Sequence, residues 1–159
     1  MHYFFEYNWQ VRNEWFALCK TIPRNTLYEK RIGGIGCFAE TFFHIVKVEY
    51  DWICDLQQQP IRDLDFQNFQ NFEEIVQLSK ELNFNVKKYL KDWSSEKESK
   101  ILHMDFGGGN YIHCTYGEAL RHLIAHEIHH IAQLSIWARE IKITPINSNF
   151  IHRGICIDT

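Results

Sequence analysis

Nine histidines in a chain of 159 residues are the side chains best suited to chemistry. Five of them fall in two stretches of helical spacing: His44 in one, and His122, His126, His129 and His130 in the other. Neutral imidazole ligates zinc, nickel, iron or copper, and three such ligands leave coordination positions for water or a substrate. At about 100° per residue, helical phase separates the four histidines of the later stretch. Its apolar arc is centred between Leu120 and Leu134; His130 lies at the edge, His126 just beyond, and His122 and His129 point outward. The i, i+4 pair His126/His130 therefore leaves one side of the helix, close enough to share a metal. In the earlier stretch the arc is centred near Phe38 and Ile45, and His44 sits at its edge. Phase selects these three rings; only the fold can bring them together.

Other residues admit chemistry too. His126-Glu127-Ile128-His129-His130 satisfies H-E-x-x-H, the zincin peptidase signature, with Glu127 as general base. Gln133 and Ile136 stand where a metzincin needs Gly and His, and a third ligand downstream would have to be a group such as Glu140 or His152. The sheet that holds a zincin substrate is also missing from the pattern. Glu127 points toward the apolar arc, either as a partner to a ligand imidazole or as a hydrogen bond across a bundle, the second being preferred. His103 and His113 face each other if their hairpin turns symmetrically about Gly108, as a surface metal pair or, preferably, as two solvated rings. Trp137 is in phase with the metal face and either lines its pocket or packs in the core. Tyr50, Asp51 and Asp55 read as a solvated face. No general base and no thiol-cofactor pocket is identifiable.

Four helices must position these groups. The first spans about 3–20, aromatic around much of its circumference (Phe4, Phe5, Trp9, Trp15, Phe16), and stops before Pro23. Aromatics on more faces than one core can use predict a homodimer through this helix or its neighbours. The second spans about 36–58 and ends before Pro60. The third spans about 72–93, with Asn71 as N-cap and Glu74 three places on. The fourth opens on the capping box Thr115-Tyr116-Gly117-Glu118 and runs to about Glu140. Between the last two, residues 101–106 and 110–114 flank three glycines and read as a β-hairpin. Residues 94–100 form a solvated loop.

Composition narrows the function classes. The 45% hydrophobic and 23% charged residues are ordinary for one globular domain, and the 15% aromatic fraction is generous. With a net charge of -3 and no basic cluster, nucleic acid is a poor partner. No apolar run approaches the roughly 18 residues of a membrane span, and no signal-peptide pattern opens the chain, so a cytoplasmic location is expected. Five scattered cysteines without a CxxC pair read as small buried hydrophobes.

His44-Ile45-Val46-Lys47-Val48-Glu49-Tyr50-Asp51-Trp52, followed later by His126-Glu127-Ile128-His129-His130-Ile131-Ala132-Gln133, resembles the DinB/YfiT family, which is unrelated to the DNA polymerase sharing the DinB name. That family's pattern is a His opening a hydrophobic helix with an acidic residue and an aromatic, then H-x-x-x-H ending in H-H-x-G-Q. Element order, the hairpin and the tail from Pro145 to Ile151 are similar too, so the resemblance spans nearly the whole chain. It implies an all-α four-helix bundle over residues 1–159, with a short β-hairpin before the last long helix. Carried across residue by residue, the family's metal ligands fall on His44, His126 and His130, the three that phase selects, and His129 falls outside. Ala132 departs from the usual Gly, which bears on helix packing more than on metal binding. The implied cofactor is one divalent metal ion, zinc or nickel, with iron or manganese as alternatives. The implied chemistry is activation of a low-molecular-weight thiol for S-transfer or isomerisation of a small-molecule substrate, with hydrolysis as the other reaction such a metal supports. The non-catalytic alternative is a dimeric stress-response protein with a structural or sensory metal.

Overall fold

The computed structural model describes residues 1–105, 109 and 111–156. Four long helices dominate: α1 (His2–Cys19), α3 (Phe38–Gln57), α4 (Phe72–Lys91) and α5 (Tyr116–Glu140). They match the four expected stretches to within about two residues at each end, the usual latitude of helix boundaries. Local chemistry sets those ends. Asn71 accepts from the Glu73 amide while the Glu74 carboxylate accepts from the Asn71 amide, a capping box that starts α4. Thr115 and Glu118 do the same for α5. At α3 the Cys37 sulfur accepts from the Glu40 amide, and the helix stops where Gln58 turns left-handed (φ 54°), two residues before Pro60. A short helix α2 (Arg24–Tyr28) follows Pro23 and was not expected; it is too short to carry a periodic pattern.

Strands β1 (Ile101–Asp105) and β2 (Tyr111–Thr115) form the antiparallel hairpin ahead of α5. The pairing of His103 with His113 centres the register on residue 108, as expected, though Gly108 itself lies outside the described residues. The loop at 94–100 contains one 3-10 turn, Ser95–Lys97.

In the bundle, α3 runs between α4 and α5, and α1 closes the remaining side against α5. The core divides into two apolar clusters. One gathers Trp15, Phe16, Phe38, Phe42, Phe72, Leu134 and Trp137. The other gathers Phe5, Trp9, Ile53, Val86, Leu120 and Leu123. Helix α1 serves both, so Phe5, Trp9, Trp15 and Phe16 are all buried within this one chain, and only Tyr3 and Phe4 stay about half exposed. Its all-round aromatic character thus has an intramolecular reason. Tyr50, expected on a solvated face, is buried instead. The cysteine reading holds for Cys19, Cys37 and Cys54, which are buried; Cys114 is half-buried and Cys156 exposed. No helix among the described residues is long and apolar enough to cross a membrane.

Candidate metal centre

His44 lies two turns into α3, and His126 and His130 lie one turn apart on α5. Packing of α3 against α5 turns all three Nε2 atoms toward one point. His44 Nε2 is 2.9 Å from His126 Nε2, which is 3.1 Å from His130 Nε2. One ligand atom from each residue falls within 4.8 Å of the others, so the trio could hold a metal ion. His130 is buried, and His44 and His126 are half-buried. His129 is exposed and turns away, as phase predicts.

The three rings are held in their neutral form. Burial, then the neighbouring His130, pushes the His44 pKa down to about 4. The same two causes, with His44 added, take His126 down to about 3. His130 is also lowered, by burial. The three rings are therefore neutral at pH 7 and offer lone pairs, which an N-donor metal site requires. Gln133 sets the tautomer of one of them: its Oε1 lies 2.8 Å from His130 Nδ1, so that nitrogen donates and Nε2 is left free. The Gln133 amide nitrogen in turn lies 3.1 Å from His129 Nε2. Gly34 covers this end of the site. A Cβ there would sit 2.6 Å from the Trp137 ring, so only glycine lets the loop approach so closely. Trp137 donates to the Ile32 carbonyl and packs edge-on to Phe38, which makes it a core residue.

Beside the trio lies a buried charge network that pattern reading missed. The Arg12 guanidinium donates to both Glu127 oxygens (Nε 2.8 Å, Nη2 2.5 Å) and to both Glu49 oxygens (Nη1 2.9 Å, Nη2 3.0 Å). Trp9 Nε1 adds a fifth bond, 3.0 Å to Glu49. Burial opposes the charge on Arg12, and the carboxylates of Glu127 and Glu49 outweigh it. Burial pushes Glu127 up, the nearby Glu49 carboxylate adds to this, and Arg12 opposes both. Glu127 is thus the hydrogen bond across the bundle. Buried and ion-paired through both oxygens to Arg12, it is committed to that pair and not to the base role of a peptidase. The signal was present: Ile45, Glu49 and Ile53 recur at helical spacing, so a carboxylate in that row demands a buried cation.

The remaining histidines sort themselves by exposure. His103 and His113 are exposed cross-strand partners, their Nδ1 atoms 2.5 Å apart. His122 is exposed, one turn before His126, and its ring lies 4.9 Å from that of Trp52. Asp51 is half-buried and hydrogen-bonded to Lys47, and Asp55 is half-buried. A groove of about 510 Å³ begins at His126 and runs past His122 and Trp52.

A model of the DinB family matches residues 1–153. Among curated relatives, uncharacterized protein YizA of Bacillus subtilis (strain 168) is 38% identical over 152 residues, covering 96% of this chain and 94% of that protein.

Proposed function

The chain belongs to the DinB family, and on that footing we propose that His44, His126 and His130 bind one divalent metal ion for chemistry on a small molecule. The observation that carries this is the convergence of three neutral imidazoles from two helices, one of them oriented by Gln133. Imidazole donors suit zinc or nickel, and also iron. Bound there, such a metal supplies Lewis acidity that makes a small thiol or water a stronger nucleophile near neutral pH. The protein's own part is to hold the rings neutral and aimed, and to leave one side of the trio open toward the groove. No fourth His, Cys, Asp or Glu joins the trio among the described residues. The preferred reaction class is transfer to or from a low-molecular-weight thiol, with hydrolysis as the second.

Elemental analysis tests the site. About one metal per chain is expected in the parent protein, with His126→Ala nearly empty and His129→Ala full. A fully occupied His126→Ala protein would remove the assignment. In a cobalt-substituted sample, 2-mercaptoethanol is expected to change the visible spectrum by adding a sulfur ligand. An unchanged spectrum at saturating thiol would leave a structural metal.

A further inference from the structure

Helices α3 and α5 run antiparallel past the trio: His44 meets His126 and His130, and eight residues on, Trp52 meets His122. Residues four apart share a helix face, so His44, Val48 and Trp52 form one wall and His126, His122 and Glu118 the other. At about 1.5 Å per residue, Trp52 stands roughly 12 Å along the helix from His44. The cavity of about 510 Å³ fills this interval, and it lies within the range of about 300–1,000 Å³ typical of small-molecule sites.

Its walls are apolar. Val48, Trp52, Ala119 and Cys114 line it, with Cys114 supplied by β2. Burial pushes the Cys114 thiol up, so it contributes a neutral surface. Among the described residues no lysine or arginine lines the cavity. The nearest cations on these helices are engaged elsewhere: Arg121 pairs with Glu98, and Lys47 with Asp51. The carboxylate of Glu118, at the rim, is held by the Thr115 cap and would repel an anion. Trp52 is the largest of these walls, and it stays half-exposed in a chain that buries three of its five tryptophans.

Resting on the metal-site reading above, we propose that the substrate's non-reacting part is flat, apolar and uncharged and lies in this groove, stacked on Trp52 with its reacting end toward His126. A carboxylate- or phosphate-bearing tail finds no cation there and would be desolvated without compensation.

Three thiols that share a metal-seeking head and differ in tail test this on cobalt-loaded protein. From spectral titration, 2-naphthalenethiol is expected to bind at least about tenfold more tightly than 2-mercaptoethanol or 3-mercaptopropionate. Trp52→Ala is expected to weaken the aryl thiol about tenfold and leave 2-mercaptoethanol unchanged. Val48→Arg, at a half-buried position, is expected to shift preference toward 3-mercaptopropionate. Unchanged affinity ratios in both metal-loaded variants would overturn the proposal while leaving the metal reading intact. If no thiol alters the spectrum, the open-metal reading fails by itself. The groove is then read separately by 2-naphthol, which has no thiol. Quenching of tryptophan fluorescence that Trp52→Ala abolishes supports the groove, and no quenching in the parent protein overturns it.

Discussion

Three imidazoles packed with His126 within hydrogen-bonding reach of the other two resist protonation, and this gives the metal-free protein a pH signature. An unfolded histidine titrates near 6.5, whereas burial and neighbouring rings hold His44 at about 4 and His126 at about 3. Between these values the unfolded chain binds more protons than the folded one, so stability falls as pH falls. The contribution of the neutral rings is complete above about pH 6.5 and is lost on descending toward about pH 3. The urea midpoint of chelator-treated protein is therefore expected to drop across this window. A His126→Leu protein should drop less steeply; equal slopes in the two proteins would dissociate the effect from these rings. The identity of the three histidines was legible in the sequence because phase on a long helix is geometry. The Gln133 contact was not, since a side chain's reach around His130 depends on the rotamers packing allows.

At the scale of elements, helix ends were legible and the buried charge network was not. Capping boxes consist of near neighbours, so Asn71/Glu74 and Thr115/Glu118 announce themselves in the chain. Arg12, Glu49 and Glu127 come from three helices separated by 37 and 115 positions from Arg12, and nothing local pairs them. Along α1 the arginine sits between Trp9 of one apolar cluster and Trp15 of the other, so the network forms a polar layer where the two meet. That layer fixes the rotation of α5 and α3 about their axes, and with it the aim of His126 beside Glu127. Removing one partner leaves buried charge uncompensated. Arg12→Met is expected to lower the unfolding free energy by about 3–5 kcal/mol, measured by urea denaturation of metal-free protein. Adding Glu49→Gln and Glu127→Gln to the same chain should recover part of the loss, because the charges that Arg12 neutralised are then gone. A triple variant no more stable than Arg12→Met would mean that the network acts only through packing.

For the whole molecule, the expected self-association now rests on a different surface. Since α1 spends Phe5, Trp9, Trp15 and Phe16 on its own two clusters, the candidate face passes to its first turn and to the outer side of α5. There Phe4 is 47% exposed, Ile128 42% and Ile136 59%. Met1, Phe4, Ile124, Ala125 and Ile128, with Arg121, line a shallow, mostly apolar groove between the two helices. On α5, Ala125, Ile128, Ala132 and Ile136 share one exposed stripe, bordered by His129 and turned away from His126 and His130. The small Ala125 and Ala132 would let a second helix come close. A stable dimer needs about 800 Å² buried per partner, which two helices of 18 and 25 residues can supply. We propose a two-fold homodimer through this α1/α5 face, isologous so that the stripe meets its own copy. Light scattering at micromolar concentration is expected to give twice the chain mass. Ile128→Lys should give the monomer mass with metal content unchanged, because the substitution lies on the stripe and the His44–His126–His130 trio on the opposite side. A parent protein that scatters as a monomer would remove the dimer altogether. A dimer that survives both Ile128→Lys and Ile136→Lys would place its interface elsewhere on the bundle.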